Sequence, residues 1–333
     1  MKYLITGAAG FVGSHLTLDL LSKGHEVIAL DLDYSTEVRS LFSKFTGIKC
    51  VTGSVLDSQL LKKLINIADY VVHLAAIASP EYYVREPKRT IDLNLNASIS
   101  IIELLRFSGK PIFYTSTSEV FGKNTNIPWE EDDDRVLGST SINRWCYSTS
   151  KSMIEHYLNA CYQEGSLEFS GVRIFNCYGP RLKGRVVDGF IDAAINKEPL
   201  IIHGNGKQTR CFTYIDDLIR AISILVTNTN HCNKFYNVGS DKETTINTLA
   251  EVVCAAASID ATNSIIYMSH QQAIGDSYED IPRRVPNCKL ALEELNWEPK
   301  ISLKEGIKQM YNYAININTT SPKTNSSFAE CDE

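Results

Sequence analysis

The stretch TGAAGFVG, residues 6–13, follows the apolar run KYLIT and opens an amphipathic segment near 11–23, and its reading decides the fold. Gly7, Gly10 and Gly13 stand three apart. Gly7 permits a tight turn, Gly10 lets the backbone approach a pyrophosphate, and Gly13 allows a helix to pack closely on a strand, while the helix N-terminus attracts phosphate charge. A glycine triplet alone is a weak signal. Asp31 strengthens it, because it ends the next apolar run, EVIALD, where a carboxylate accepts both hydroxyls of an adenosine ribose and repels a 2′-phosphate. The stretch therefore predicts NAD as the cofactor in preference to NADP. Asp57, closing GSVLD, suits an adenine-side acceptor and a cap for the following helix equally well.

Outward from this stretch, the apolar runs YVVHLA, PIFYTST and FSGVRIF alternate with amphipathic segments near 57–67, 91–107 and 147–164. Alternation of this kind predicts an α/β fold, a Rossmann-type doubly wound parallel sheet with helices on both faces. After Asn176 the rhythm loosens, with turn signals at 179–181 and 204–206, helices near 214–227, 245–257 and 302–314, and the strand FYNVG. We read residues 1–176 as an NAD-binding Rossmann domain and 177–317 as a smaller α/β substrate-binding lobe interleaved with it. Residues 318–333, polar throughout, read as a disordered tail.

Composition narrows the function classes. Across 333 residues, 44% are hydrophobic and 22% charged, which is globular. A formal net charge of −6, without a clustered Lys/Arg run, argues against nucleic-acid and anionic-membrane partners and for a small molecule. Nine cysteines without a CxxC pair spell neither a disulfide framework nor a zinc site, so no metal is expected. No apolar run approaches the ~18 residues of a spanning helix, and the first strand begins at once, leaving no room for a signal peptide. The expectation is a cytoplasmic protein.

The candidate chemistry lies in two segments. TSTSEVFG, residues 115–122, ends an apolar strand in four hydroxyls and an acid; RWCYSTSKSMIEHY, residues 144–157, places Tyr147 and Lys151 four apart on one helix face. Taken singly, the first is a strand stopping at the surface and the second a half-buried ring beside a solvated lysine. Their combination with a dinucleotide fingerprint points to acid–base chemistry. A phenol of ordinary pKa ≈ 10 must lose about 3 units, roughly 4 kcal/mol, to act near neutrality. One ammonium at about 4 Å and effective dielectric ~20 supplies about that much.

Taken together, the glycine triplet, the strand-end hydroxyls and the Tyr-x-x-x-Lys pair resemble the extended short-chain dehydrogenase/reductase family of NAD-dependent nucleotide-sugar epimerases, dehydratases and decarboxylases. The likeness covers roughly residues 1–315. It implies that Tyr147 is the base at the sugar C4 hydroxyl, that Lys151 lowers its pKa and holds the nicotinamide ribose, and that Thr117 assists. It also implies cofactor contacts from Gly7, Gly10, Phe11, Val12, Gly13, Asp31, Asp57, Leu74, Ala75 and Ala76. NCYGPR, GRVVDGFI and GNGKQTRCFTY resemble the family's nucleotide-diphosphate lobe, which implies substrate contacts from Arg144, Asn176, Arg185, Val186 and Arg210.

Within the family, Ser118 and Glu119 separate the reactions. Hexose 4,6-dehydratases of the deoxythymidine-diphosphate type carry Asp-Glu there, and this chain lacks that proton donor, although GDP-mannose dehydratases also use Ser-Glu. Thr-Ser-Glu, the segment AAIASPEYYVREPKRT (75–90) and SYEDIPRRVPN (277–287) resemble the UDP-glucuronate decarboxylases. That resemblance implies Arg284 at the substrate carboxylate and Tyr83 as a sugar contact, with Ser118 and Glu119 at the reaction centre. Burial is expected to raise the Glu119 pKa toward use as a general acid or base. The implied reaction is decarboxylation of UDP-glucuronate, through a 4-keto intermediate, to UDP-xylose or a UDP-4-keto-pentose. The segment PWEEDDDRVLGST (128–140) also resembles UDP-sugar 4-epimerases, which leaves 4-epimerisation of UDP-glucuronate or UDP-glucose open. A 4,6-dehydratase or a non-catalytic NAD-binding protein is a further alternative. The family pairs the helices near 91–107 and 147–164 across a two-fold axis, which implies a homodimer.

Overall fold

The central strands are short runs of β-branched and aromatic residues, the composition a pleated, covered surface selects. They are β1 (Lys2–Thr6), β2 (Glu26–Asp31), β3 (Ile48–Thr52), β4 (Tyr70–His73), β5 (Ile112–Thr117) and β6 (Phe169–Ile174). The computed structural model describes residues 1–106, 108–228, 233–268, 281 and 283–320. In chain order the smaller strands are β7 (Cys177–Tyr178), β8 (Leu200–His203), β9 (Thr209–Cys211), β10 (Thr213–Tyr214), β11 (Phe235–Val238), β12 (Glu243–Thr245) and β13 (Ile265–Met268). A seven-stranded sheet runs β11-β6-β5-β4-β1-β2-β3, with parallel pairing throughout.

Because side chains alternate across a strand, β1 feeds two cores at once: Tyr3 and Ile5 point to one face and Leu4 to the other. The first face is covered by α1 (Phe11–Ser22), through Leu16 and Leu20, and by helix Ile215–Thr227, through Leu218 and Ile222. The second is covered by α3 (Ser58–Ile67), α6 (Ala97–Arg106) and α7 (Trp145–Gln163), through Leu61, Leu64, Ile101, Leu105, Ile154 and Leu158. Each such Leu or Ile contributes roughly 1.5–3 kcal/mol of burial. β3 stands at the sheet edge and is correspondingly the most exposed of these strands.

Two features depart from the sequence reading. The single helix expected over 91–107 is α5 (Pro87–Ile91), a π-helical turn at Asp92–Asn96, and then α6. The wide turn carries Asn94, whose side chain accepts from Ile77 N at 2.8 Å and donates to Ile77 O at 2.9 Å, fixing the loop that follows β4. The last helix runs Leu303–Thr320, into the stretch expected to be a tail; residues 321–333 lie outside the described residues. Short helices α2 (Thr36–Phe42) and α4 (Pro80–Arg85) flank the cofactor side.

β1 has β2 on one side and β4 on the other, so the strand order reverses there and opens a crevice beyond the carboxyl ends of the strands. β11 comes from beyond residue 176 and pairs with β6, Phe235 opposite Gly171, so both parts of the chain build one sheet. Two-stranded ribbons pair β7 with β10, β9 with β12 and β8 with β13, and β7, β8 and β9 contribute residues to the crevice wall. A small third core, with Phe121 stacked on Trp129 at 5.0 Å and Trp145 and Phe175 beside them, backs its far end.

Candidate active site

At the β1 end the backbone itself makes the site. Gly7 has φ +71°, and a Cβ there would lie 2.8 Å from the Ala75 nitrogen; one on Gly13 would lie 2.0 Å from the Gly7 carbonyl oxygen. Only glycine satisfies both positions. Gly10 caps α1 with φ −68°. Asp31 accepts from Ala9 N at 2.8 Å and Leu32 N at 2.7 Å, which ties β2 to the glycine loop. Burial pushes the Asp31 carboxyl up, against the backbone amides that pull it down. Beneath the loop, Thr6 Oγ1 meets His73 Nδ1 at 2.7 Å and His73 Nε2 meets Ser98 Oγ at 2.9 Å, while burial and then Lys151 push His73 down to about 3, so it is neutral.

This cradle fits a dinucleotide. Gly7, Gly10, Phe11, Val12, Gly13, Asp31, Leu74, Ala75 and Ala76 all line one cleft of about 1840 Å³, and the turn that shapes this wall is closed too tightly for a Cβ at Gly7 or Gly13. Asp57 does not line it. Its side chain accepts from Gln59 N and Leu60 N as the N-cap of α3, so of its two readings the structure displays the cap.

At the β5 end the site is made of charge. Thr117 Oγ1 accepts from Glu119 N at 3.2 Å and turns the chain after the strand. Glu119, 7% exposed, receives Arg144 Nη2 at 3.0 Å on one oxygen and Arg284 Nη1 at 3.2 Å on the other. Burial pushes the Glu119 carboxyl up, but Arg284 and Arg144 outweigh it and hold it below the usual carboxylate range. This corrects the expectation of a raised Glu119: desolvation is present, and two guanidinium groups overturn it.

The Tyr147–Lys151 pair is corrected likewise. Lys151 is buried and donates to Thr115 O at 2.8 Å, 4.5 Å from the Tyr114 ring, and burial brings its amine down to about 7, against the pull of Glu155. Burial, then the Glu119 charge, push the Tyr147 phenol up, and Arg185, Thr117 and Arg284 only partly offset them. One ammonium on its own would lower the phenol; the desolvation of both groups, which residue spacing does not reveal, reverses the balance.

Thr117, Ser118, Glu119, Tyr147, Lys151, Asn176, Arg185, Val186, Arg210 and Arg284 line the same cleft as the glycine cradle. Asn176 takes φ +35° at the end of β6. Arg185 caps helix Val186–Asn196 and donates to Ala78 O at 2.7 Å, bridging the two walls, while Arg210 reaches the Thr209 carbonyl. Tyr83 and Arg144 lie behind the lining: Tyr83 is buried and stacks on Tyr147 at 5.2 Å with 12° between the rings, and Arg144 is buried against Glu119. Three residues were not expected from the sequence: Arg181, which lines the cleft and donates to Ser14 Oγ at 3.0 Å, and Glu155, one turn along α7 from Lys151, with its partner Arg173. Each is held by a partner remote in sequence, apart from the four-residue step from Lys151 to Glu155 on α7, which was the one available signal.

Fold and site together define a Rossmann-type, dinucleotide-dependent enzyme. A model of the NAD dependent epimerase/dehydratase family matches residues 3–239. The chain is 34% identical to the UDP-N-acetyl-alpha-D-glucosaminuronate decarboxylase of Bacillus cytotoxicus, over 92% of this chain and 96% of that protein. It is 35% identical to UDP-glucuronic acid decarboxylase 1 of Arabidopsis thaliana, over 93% of this chain and 69% of that one. The UDP-glucose 4-epimerase of Thermotoga maritima, solved with UDP-glucose, superposes with a TM-score of 0.84 at 28% identity, over 95% of this chain and 99% of that chain. The chain belongs to the NAD dependent epimerase/dehydratase family.

Proposed function

We propose that this protein decarboxylates a UDP-hexuronate, UDP-glucuronate or its 2-acetamido analogue, through a 4-keto sugar to a UDP-pentose or UDP-4-keto-pentose. The observation that carries the reading is Arg284, a buried guanidinium that lines the cleft beside Tyr147 and is clamped by Glu119. The two decarboxylase relatives, similar over more than nine-tenths of this chain, support it.

In this reading Tyr147 takes the C4 hydroxyl proton, with the Thr117 hydroxyl on the same oxygen. Bound NAD supplies reversible oxidation at C4 and a positive charge beside the phenol. The 4-ketone makes the C5 carboxylate a β-keto acid, so carbon dioxide leaves as the C5–C6 electron pair drains toward the C4 oxygen that Tyr147 and Thr117 hold; the enolate then takes a proton at C5 to give the 4-keto-pentose, and reduction at C4 gives the pentose. Arg284 orients the departing carboxylate. Glu119, kept anionic by its two arginines, serves to aim Arg284 rather than to donate a proton. Ser118 adds no carboxyl group, so the acid that 4,6-dehydratases of the deoxythymidine-diphosphate type carry at this place is absent.

The diphosphate would lie along Asn176, Arg185 and Arg210, which makes the chain from 177 to 317 the nucleotide-sugar lobe. We further read the protein as a cytoplasmic homodimer of carbohydrate biosynthesis. Each described cysteine is free, which suits a reducing compartment, and half-exposed Met153 and Tyr162 on α7 offer apolar surface to a second copy. Mass analysis after incubation with NAD and either UDP-hexuronate tests the reading. Loss of one carbon dioxide supports it. Unchanged mass with inverted C4 indicates the 4-epimerase that the Thermotoga neighbour suggests, and no turnover of any UDP-sugar removes the enzymatic reading.

A further inference from the structure

One turn along α7 from Lys151 lies a cluster of buried charge that the reaction as described does not use. Glu155, 5% exposed, receives Arg173 twice, Nε on Oε1 at 2.9 Å and Nη2 on Oε2 at 2.8 Å. The Ser116 hydroxyl donates to Oε1, and Arg135 Nη2 stands 3.4 Å from Oε2. Arg173 Nη1 donates to Glu131 O at 2.8 Å, and both guanidinium groups lie against the Phe121 ring.

Stability alone is a poor reason for this arrangement. A desolvated ion pair gains little over apolar side chains of the same volume. Its placement is more informative. Ser116, held by Glu155, is the neighbour of Thr115, whose carbonyl receives the Lys151 amine, so the carboxylate fixes both the strand end and the helix face between which that amine is suspended. The titratable groups around Lys151 are His73 from β4, Tyr114 from β5 and Glu155 from its own helix, with Tyr147 one turn before it on that helix. Of these, His73 is neutral, burial holds the Tyr114 and Tyr147 phenols protonated, and Glu155 is the anion.

We propose that Glu155 is the positioning residue of Lys151: a carboxylate, clamped by Arg173 and Ser116, that fixes the strand end and the helix face between which the amine is suspended and so keeps it in register with Tyr147. The burial that brings Lys151 down to about 7 agrees, because the attraction of Glu155 is what keeps it from falling further. Burial pushes Glu155 itself up, and Arg173, Ser116 and Arg135 more than offset this, so it stays ionised. Arg173 thereby acts at one remove, securing the charge that secures the amine.

The proposal rests on Tyr147 and Lys151 being the reacting pair, and its test reads the amine itself. Nuclear magnetic resonance of nitrogen-labelled lysine in the full chain, with Lys151 assigned from the Lys151→Met spectrum, follows its titration in the parent and in Glu155→Gln. The titration is expected to move down by about 1 unit. The alkaline limb of kcat moves with it, KM stays in place, and Glu155→Asp restores most of the shift. If Glu155→Gln fails to fold because Arg173 is left uncompensated, the double variant Glu155→Gln/Arg173→Met removes both charges, and a smaller downward shift is expected, because the repulsion by Arg173 is lost together with the attraction by Glu155. An identical Lys151 titration in parent and variant, or none in either, overturns the proposal. Failure of the decarboxylase reading would instead appear as no turnover by the parent, with the titration shift intact.

Discussion

The two ends of the cleft are built on opposite principles. At the glycine end, the cleft wall is made of backbone: a positive φ at Gly7, and approaches too close for a Cβ at Gly7 or Gly13. At the β5 end it is made of buried charge, with Glu119 between two arginines and Glu155 between two more. The first is a matter of shape and depends on one contiguous stretch. The second is a balance in which desolvation and opposite charge nearly cancel, so its behaviour belongs to the group of residues and to no single one.

Substitutions should divide along the same line. Tyr147→Phe is expected to give the largest change, a loss of turnover by about 10³-fold, with NAD affinity measured by calorimetry unchanged. Ordinary turnover by that variant would remove Tyr147 as the base. Next in size is Glu119→Gln, which leaves Arg144 and Arg284 without their shared carboxylate and should cost about 3–5 kcal/mol of stability by denaturant titration near neutrality. The pH dependence has a definite sign. Because the folded Glu119 carboxyl sits below its unfolded value, its contribution is full above about pH 4.3 and is lost as pH falls through the folded value. The gap between parent and variant should therefore shrink in acid; a gap that widens there would contradict the pairing.

Smaller effects are expected at the other end. Gly7→Ala forces a side chain onto φ +71° and against the Ala75 backbone, which should cost about 1–3 kcal/mol and weaken NAD binding. The rate with saturating NAD should stay near that of the parent, since no charge has moved. Asp57→Ala removes only the α3 cap, about 1 kcal/mol by thermal unfolding. A tenfold loss of NAD affinity in that variant would restore Asp57 to the cofactor site.

What the sequence made legible follows the same division. Gly7, Gly13 and Asp31 can be placed from the sequence because their reasons are local: a turn, a close approach, a strand end. The parallel sheet is legible in its alternating runs, and Tyr147 with Lys151 in a spacing of one helical turn. The charge states are not legible there. Glu119 meets Arg284 across 165 residues, and Arg173 meets Glu155 from a different element, so nothing in the local sequence reveals whether burial or a partner prevails. Asn94 is hidden in a π-helical turn that has no periodic signature, and Tyr83, expected at the sugar, is packed on the back of the Tyr147 ring.

The most direct test of the charged end as a decarboxylating site follows an isotopic label in the carboxyl carbon of UDP-glucuronate, and of its 2-acetamido analogue, through parent and Arg284→Ala protein supplied with NAD. Release of the label as carbon dioxide by the parent, reduced by about a hundredfold in Arg284→Ala while NAD still binds, is the expected result. Label retained on a turned-over sugar, or released equally by both proteins, would contradict it.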